Sequence, residues 1–416
     1  LFFFTKHQVG TNMSNTGTST ALINDARVRA LAFQAALILV LILGAWWLIN
    51  NTVSNLSEQG KTLGFNFLVQ TAGFQISSTL GTWVMDYNVG QSTYLDVYFI
   101  GIINTFVVAV LGILAATVLG FGIGIMRLSN NLVLKGFATI YIEMLRNLPL
   151  LLQLFFWYFA VLRSLPGRRD QIELIPGLAG INITGLYLPA PVVGDGFVYV
   201  TLTFLIAVIG AVTISKWAKK RQYQTGQTFP AFWAGLGLIF VATLVMFLAM
   251  GSPLEWGLPE FKNSGPALRR GFQSGTGMVI VPELIAVWLA LSLYTAAFIA
   301  EIVRAGILAV AKGQTEASYS LGLRPGITLR LIVIPQALRV IIPPLTSQFL
   351  NLTKNSSLAV AIAYPELVSI FAGTALNQVG KEIEMIAMMM SVYLTFSLIT
   401  AAFMNWFNAR VKLVER

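Results

Sequence analysis

Long apolar runs alternate with shorter polar ones along this chain. Hydrophobic side chains dominate Leu31–Leu48, Val97–Met126, Phe137–Leu162, Gly196–Ser215, Phe229–Met250, Met278–Ala300, Ile341–Tyr364 and Met385–Phe407. About twenty residues of helix cross the hydrocarbon of a bilayer, so the pattern predicts an all-α polytopic membrane protein with about eight transmembrane helices. The polar segments sort by charge. Arg27 and Arg29 precede the first run, and Lys216, Lys219, Lys220 and Arg221 separate the fourth from the fifth. Arg304, Lys312, Arg324, Arg330 and Arg339 follow the sixth, and Arg410, Lys412 and Arg416 follow the last. Basic residues stay on the cytoplasmic side, which places both termini inside. Residues 50–96, with Lys61 as their single basic residue, then lie outside, as do 163–195, 251–277 and 365–384. Arg163, Arg168 and Arg169 go against this rule in an external loop, partly offset by Asp170 and Glu173.

Three runs have internal structure. Gly112, Ala116, Gly120 and Gly124 recur every four residues on one face of the second, and small residues at that spacing let two membrane helices approach closely. The third run holds Glu143, Arg146, Asn147, Pro149 and Gln153. Proline frees backbone groups, and charges at membrane depth face a cavity or partner. Glu143 and Arg146 are close enough to pair, either within the membrane or at its inner edge with the span starting near Leu148. The seventh run is broken by Pro343-Pro344 and carries Asn351, Lys354, Asn355, Ser356 and Ser357.

Composition supports the membrane reading: 56% of the 416 residues are hydrophobic and 11% are charged, against about 25% charged in soluble domains. The net charge of +10 comes with no nucleic-acid motif, so nucleic acid is not an expected partner and membrane lipid is. There is no cysteine and one histidine, His7. No cysteine or histidine metal site is therefore expected, nor thiol catalysis. No GxxxxGK[ST], GxSxG or HExxH occurs, so the chain itself is not expected to be an enzyme. Uphill movement would need an ion gradient or ATP hydrolysis in another subunit. Met13-Ser14-Asn15 reads as a natural start, making residues 1–12 an expected upstream extension.

The longest polar interruption in the C-terminal half is Glu301–Pro335. Gln314–Leu321 can form two helical turns with Glu316 in the first, and Gly322 is placed to stop them. Ala317 and Ser318 are small and permit close approach by another surface. The spacing Glu316-Ala317-Ser318, Gly322, Ile332-Val333-Ile334-Pro335 resembles the EAA loop of ABC-importer permeases. Three ordered blocks extend the likeness: Arg146-Asn147-Leu148-Pro149-Leu150-Leu151-Leu152-Gln153, then Tyr294–Ile307 with Gly313–Ala317, then Lys354-Asn355-Ser356-Ser357-Leu358 with Glu366-Leu367. Together they resemble the polar amino-acid (histidine/glutamine-type) permeases. Ser318 stands for the usual second alanine, Ile334 for leucine and Ser356 for threonine. The greater length resembles the enlarged general L-amino-acid and glutamate/glutamine/aspartate/asparagine permease subunits.

The resemblance implies a type I importer core of about five helices plus an N-terminal helix and a two-helix insertion. Its expected organisation is a cytoplasmic tail (1–30), an extra first helix with an external loop (31–96) and a first core part (97–163). The insertion (164–277), a second core part (278–410) with its coupling loop (313–335), and a cytoplasmic tail (411–416) complete it. The implied function is a permease subunit of a binding-protein-dependent ABC importer of polar or general L-amino acids in a bacterial inner membrane. Its implied partners are a second, non-identical permease subunit, two ATP-binding subunits that hold ATP and Mg, and a periplasmic amino-acid-binding protein. Gly313, Glu316, Ala317, Ser318, Gly322, Leu323 and Pro335 are the expected ATPase-coupling residues. Gln153, Asn351, Lys354, Ser356 and Ser357 either line the substrate pathway or satisfy the broken helices. Arg146, Pro149, Glu301 and Arg304 are structural or gating candidates, with Glu301 and Arg304 able to pair near the cytoplasmic mouth. An ion-coupled secondary amino-acid transporter is the rival; it requires inverted repeats and coupling carboxylates, and neither is evident.

Overall fold

The computed structural model describes residues 26–58, 64–264, 266, 270–273 and 275–411. The expected extension at 1–12 and the tail at 412–416 lie outside the described residues. Contacts divide the chain into two units, Leu1–Phe65 and Asn66–Arg416. The first contributes one helix, α1 (Ala26–Glu58), apolar and exposed over Arg29–Asn55. Among the described residues seven helices are long and apolar enough to cross a membrane, and one bent pair brings the number to eight.

The second unit includes the short helix α2 (Leu80–Val84) and is built around α3 (Tyr94–Arg127) and α8 (Pro282–Leu308). The small-residue stripe of α3 is buried at Gly112, Ala116, Gly120 and Gly124, as its spacing predicts. A Cβ at Gly120 would come within 2.6 Å of the Ile299 side chain, and one at Gly124 within 2.7 Å of the Ala300 carbonyl. The two backbones therefore touch through glycine, which is how helices associate where burial of apolar area supplies no drive. Thr93 caps the start of α3, sharing a capping box with Asp96.

Around this pair the buried residues form two large clusters. One gathers Ala290, Leu291 and Ile299 of α8 with Leu150 and Leu154, and with Ile341, Leu345 and Leu352. The other joins Val97 and Ile100 to Leu367, Ile370 and Phe371 and to Met385 and Met389. Residues 365–384 are thus far more than an external loop, because Leu367, Phe371 and Ala375 are fully buried. A π-helical turn (Ser369–Ala375), then α12 (Leu376–Val379), leads to α13 (Glu382–Val411).

The third apolar run departs from a single straight span. Its arms, Leu132–Asn147 and Leu150–Ser164, meet at 107°. The first arm is α4 (Leu132–Asn147); the second begins with α5 (Leu150–Phe155) and continues as a π-helical turn, Phe156–Val161. Pro149 is the cause: the residue before a proline avoids the helical region, and Leu148 is extended at ψ 132. The loop after α8 also differs from expectation in its second half. There α9 (Lys312–Ser320) is followed by α10 (Pro325–Thr328), a π-helical turn (Leu329–Val333) and α11 (Ile334–Asn355), with Pro343 and Pro344 inside α11.

Short strands in the insertion are unforeseen. β1 (Ile172–Ile175), β2 (Ala179–Asn182), β3 (Gly185–Leu188) and β4 (Ala190–Val193) precede α6 (Phe197–Thr225) and α7 (Ala231–Ala249). β5 (Leu254–Gly257), β6 (Phe261–Lys262), β7 (Gly271–Phe272) and β8 (Met278–Ile280) follow them. An antiparallel sheet orders β1-β2-β3-β8, and β4 pairs with β5 across the base of the α6–α7 hairpin. The β2–β3 turn is fixed by Asn182, whose Oδ1 accepts from the Thr184 amide at 2.9 Å. Because these pairings tie segments before α6 to segments after α7, all the strands share one side of the membrane. The α6–α7 turn and α9, each one crossing away, share the other.

Candidate coupling helix and translocation face

Helix α9 is short and polar, so packing must fix it in place. Its end is a full Schellman motif: Leu323 N–H donates to the Ser318 carbonyl at 3.1 Å and Gly322 N–H to that of Tyr319 at 2.9 Å. Gly322 takes φ +73, a left-handed conformation that disfavours side chains. The sequence reading placed this stop correctly, although Glu316 occupies the second turn rather than the first. Ser318 turns inward: it is buried, donates to the Thr315 carbonyl at 2.7 Å and lies 3.0 Å from Thr328 Oγ1. The close approach that its small size permits is therefore made to α10 within the same chain, and Ser318 is not free to meet another surface. Gly313, Glu316 and Ala317 are exposed, three and four residues apart on one face. Leu321, 80% exposed, and Tyr319 stand beside them and were missed, although Leu321 continues the four-residue spacing from Ala317. Leu323 and Pro335 are half-buried; Pro335 opens α11.

An ionic knot ties the end of α8 to its neighbours just before α9. Glu301 accepts from Arg304 Nη2 at 2.6 Å and Nε at 3.1 Å, as their spacing predicts, and also from Arg127 at the end of α3. Arg127 reaches Glu143 of α4 at 3.4 Å. Glu143 thus meets Arg127, and its anticipated neighbour Arg146 instead lies over the Phe298 ring at 5.1 Å. Three helices, α3, α4 and α8, meet at this knot.

The pathway candidates separate into two groups. Gln153 is buried; its amide donates to the Leu145 and Leu148 carbonyls at 2.9 and 3.0 Å. Those carbonyls lie at the break made by Pro149, so Gln153 repairs the broken helix, as non-helical backbone at membrane depth demands. Ser356 is also buried, donating to the Thr353 carbonyl at 2.7 Å, and Ser357 donates to that of Lys354 at 2.8 Å. Asn351 and Lys354 differ: with Pro344 and Ser347 they form an exposed polar face on α11. Lys354 makes no ion pair among the described residues.

A second buried polar group carries no role in the sequence reading. Glu366 accepts from the Val368 and Ser369 amides at 2.9 and 2.7 Å and from Tyr393 Oη at 3.0 Å. Beside it Asn104 donates to the Pro365 carbonyl at 2.7 Å, and Thr105 accepts from the Leu367 amide at 3.1 Å. This group pins the segment after Ser356 to α3 and α13. A glutamate followed by Leu367-Val368 was visible, but its bond to Tyr393 of α13 and the neighbouring Leu367–Thr105 bond to α3, 262 residues apart, were not. Among the described residues no group of histidine, cysteine, aspartate and glutamate could hold a metal ion.

Comparisons with known proteins agree with this arrangement. Residues 203–413 match the family model of the binding-protein-dependent transport system inner membrane component. The chain is 49% identical to a putative amino-acid ABC transporter permease protein of Escherichia coli, YhdX, covering 94% of this chain and 95% of that one. It is 44% identical to the general L-amino acid transport system permease protein AapQ of Rhizobium johnstonii, covering 98% of each. It is 38% identical to BztB of Rhodobacter capsulatus, a glutamate/glutamine/aspartate/asparagine transport system permease protein, covering 95% of this chain and 96% of that one. With its membrane helices, its glycine-stopped loop helix and relatives alike from end to end, the chain belongs to the inner membrane components of binding-protein-dependent transport systems, among the amino-acid ABC transporter permeases.

Proposed function

We propose that this chain is one of two unlike permease subunits of an importer for polar or general L-amino acids, driven by ATP hydrolysis in partner subunits. The observation that carries the reading is α9. It is a rigidly stopped helix whose exposed face of Gly313, Glu316 and Ala317, flanked by Leu321, has no cover among the described residues. The helix that leads into it, α8, is joined to α3, and through Arg127 to α4, by the Glu301 knot. Such an element suits docking into an ATP-binding subunit, which would hold ATP and Mg; the chain has no phosphate loop of its own. Movement of that subunit would push α9, and the knot would pass the displacement to the membrane helices.

The α11 face supplies the path. A lysine facing hydrocarbon at the centre of a span costs about 2.5–3.5 kcal/mol, so Lys354, Asn351 and Ser347 call for a polar surround. A second permease subunit meeting this face would enclose them in a water-filled passage. Lys354 would then meet a substrate carboxylate, with Asn351 offering donor and acceptor to the rest of a zwitterion. A binding protein would deliver substrate on the β-structured side, and α9 would lie on the cytoplasmic side with both termini, as the basic residues indicate. The setting is a bacterial inner membrane.

Glu316→Lys and Gly322→Asp test the docking assignment. Each is expected to abolish uptake and release the ATP-binding subunit in mild detergent while the chain remains in the membrane. Unchanged uptake and assembly in both would overturn it. Uptake that collapses with the proton gradient while ATP is maintained would instead favour ion coupling.

A further inference from the structure

We infer that the α6–α7 turn is a binding site for an anionic phospholipid, with the phosphate headgroup on the basic turn and an acyl chain along α7. Between Gly196 and Leu254 the chain contains no acidic residue, and its only charges are Lys216, Lys219, Lys220 and Arg221. The three lysines are exposed and make no ion pair among the described residues. Lys216 and Lys220 are one helical turn apart, where like charges repel. Neither helix can neutralise them, and no counter-charge for them lies among the described residues.

The turn is organised beyond what a mere excess of charge requires. The Arg221 guanidinium lies 5.3 Å from the Trp217 ring, and its Nη2 donates to Gln227 Oε1 at 2.7 Å. Trp217 in turn meets Phe229 edge-on at 5.4 Å. This holds a guanidinium fork, which matches phosphate oxygens, at the depth where aromatic rings sit in a bilayer. The apolar part of α6, Phe197–Ser215, ends where the cluster begins. At the same end of α7, Trp233, Leu236, Gly237, Ile239 and Phe240 line an apolar groove. The described residues leave this surface open, since Gly235 is the one buried residue of α7. Free phosphate would use the cations and leave the groove empty; a phospholipid fills both. The inference requires that α6 and α7 cross the membrane and is independent of the coupling role of α9.

Native mass spectrometry of the full chain in a non-ionic detergent, with phosphatidylglycerol or phosphatidylcholine added, provides the test. Each cation near an anionic membrane surface strengthens attraction about fivefold, so phosphatidylglycerol is expected to be retained at least about tenfold better. The triple variant Lys216→Gln, Lys219→Gln, Lys220→Gln is expected to lose that preference, and the corresponding triple arginine variant to keep it. A brominated phosphatidylglycerol is expected to quench a component of fluorescence that Trp217→Phe removes. Equal retention of the two lipids by the wild-type chain overturns the proposal whether or not the variants fold. So does undiminished preference in the triple glutamine variant, or displacement of the lipid by millimolar inorganic phosphate.

Discussion

At the residue scale, the decisive positions are those where a side chain is too large to fit or too polar to leave alone. Gly120 is the first kind. Gly120→Leu would drive atoms into Ile299 and the Ala296 carbonyl, which lie 2.6 and 3.0 Å from its Cβ position. Overpacking of this sort costs about 1–3 kcal/mol. Thermal unfolding in detergent should therefore show a marked loss for Gly120→Leu and little change for Gly122→Leu, where no atom lies within 4 Å. Gln153 is the second kind. Gln153→Leu leaves two carbonyls at the Pro149 break unpaired, each costing about 1–3 kcal/mol when buried. Lower stability is the expected result; lost uptake with unchanged stability would return Gln153 to the pathway. Lys354→Met is expected to do the reverse, keeping stability and assembly while abolishing uptake of amino acids. What the sequence could not disclose at this scale is direction. Gln153, Ser318 and Lys354 are all polar residues, yet the first two turn inward to backbone carbonyls and the third faces out.

Among the elements, those governed by local rules were legible. The α3 stripe follows from residues four apart, and the end of α9 from a single glycine with no side chain to clash at positive φ. Gly322→Ala should accordingly cost about 1–2 kcal/mol, against a few tenths or a gain for Gly313→Ala, which sits in an exposed helix at a negative φ. Chemical unfolding monitored by helix content would separate the two. Elements held by distant partners were not legible. β4 has four residues, and what makes it a strand is β5, which begins 61 residues after Val193 at Leu254. Residues 365–384 read as a short loop because the polar anchors of their first residues, Asn104 and Thr105, lie on α3. The bend at Pro149 lies between, since the break was visible and its 107° angle was not.

For the whole molecule, the strands gather on one side and the α6–α7 turn and α9 on the other, with the membrane helices between them, so under the proposed function the chain would act as a transmitter. The Ser318 contact with Thr328 of α10 ties α9 to that body, and the Glu301 knot ties α8, α3 and α4 together. The absence of cysteine permits a direct measurement of where force enters. Single cysteines at Glu316, Ala317 and Ser318, introduced into the complete transporter, can be treated with a short thiol-reactive cross-linker in the membrane. Glu316→Cys and Ala317→Cys are predicted to join this chain to the ATP-binding subunit, and Ser318→Cys, buried against Thr328, is predicted not to. Absence of any such product from Glu316→Cys and Ala317→Cys in a complex that still imports substrate would contradict the account.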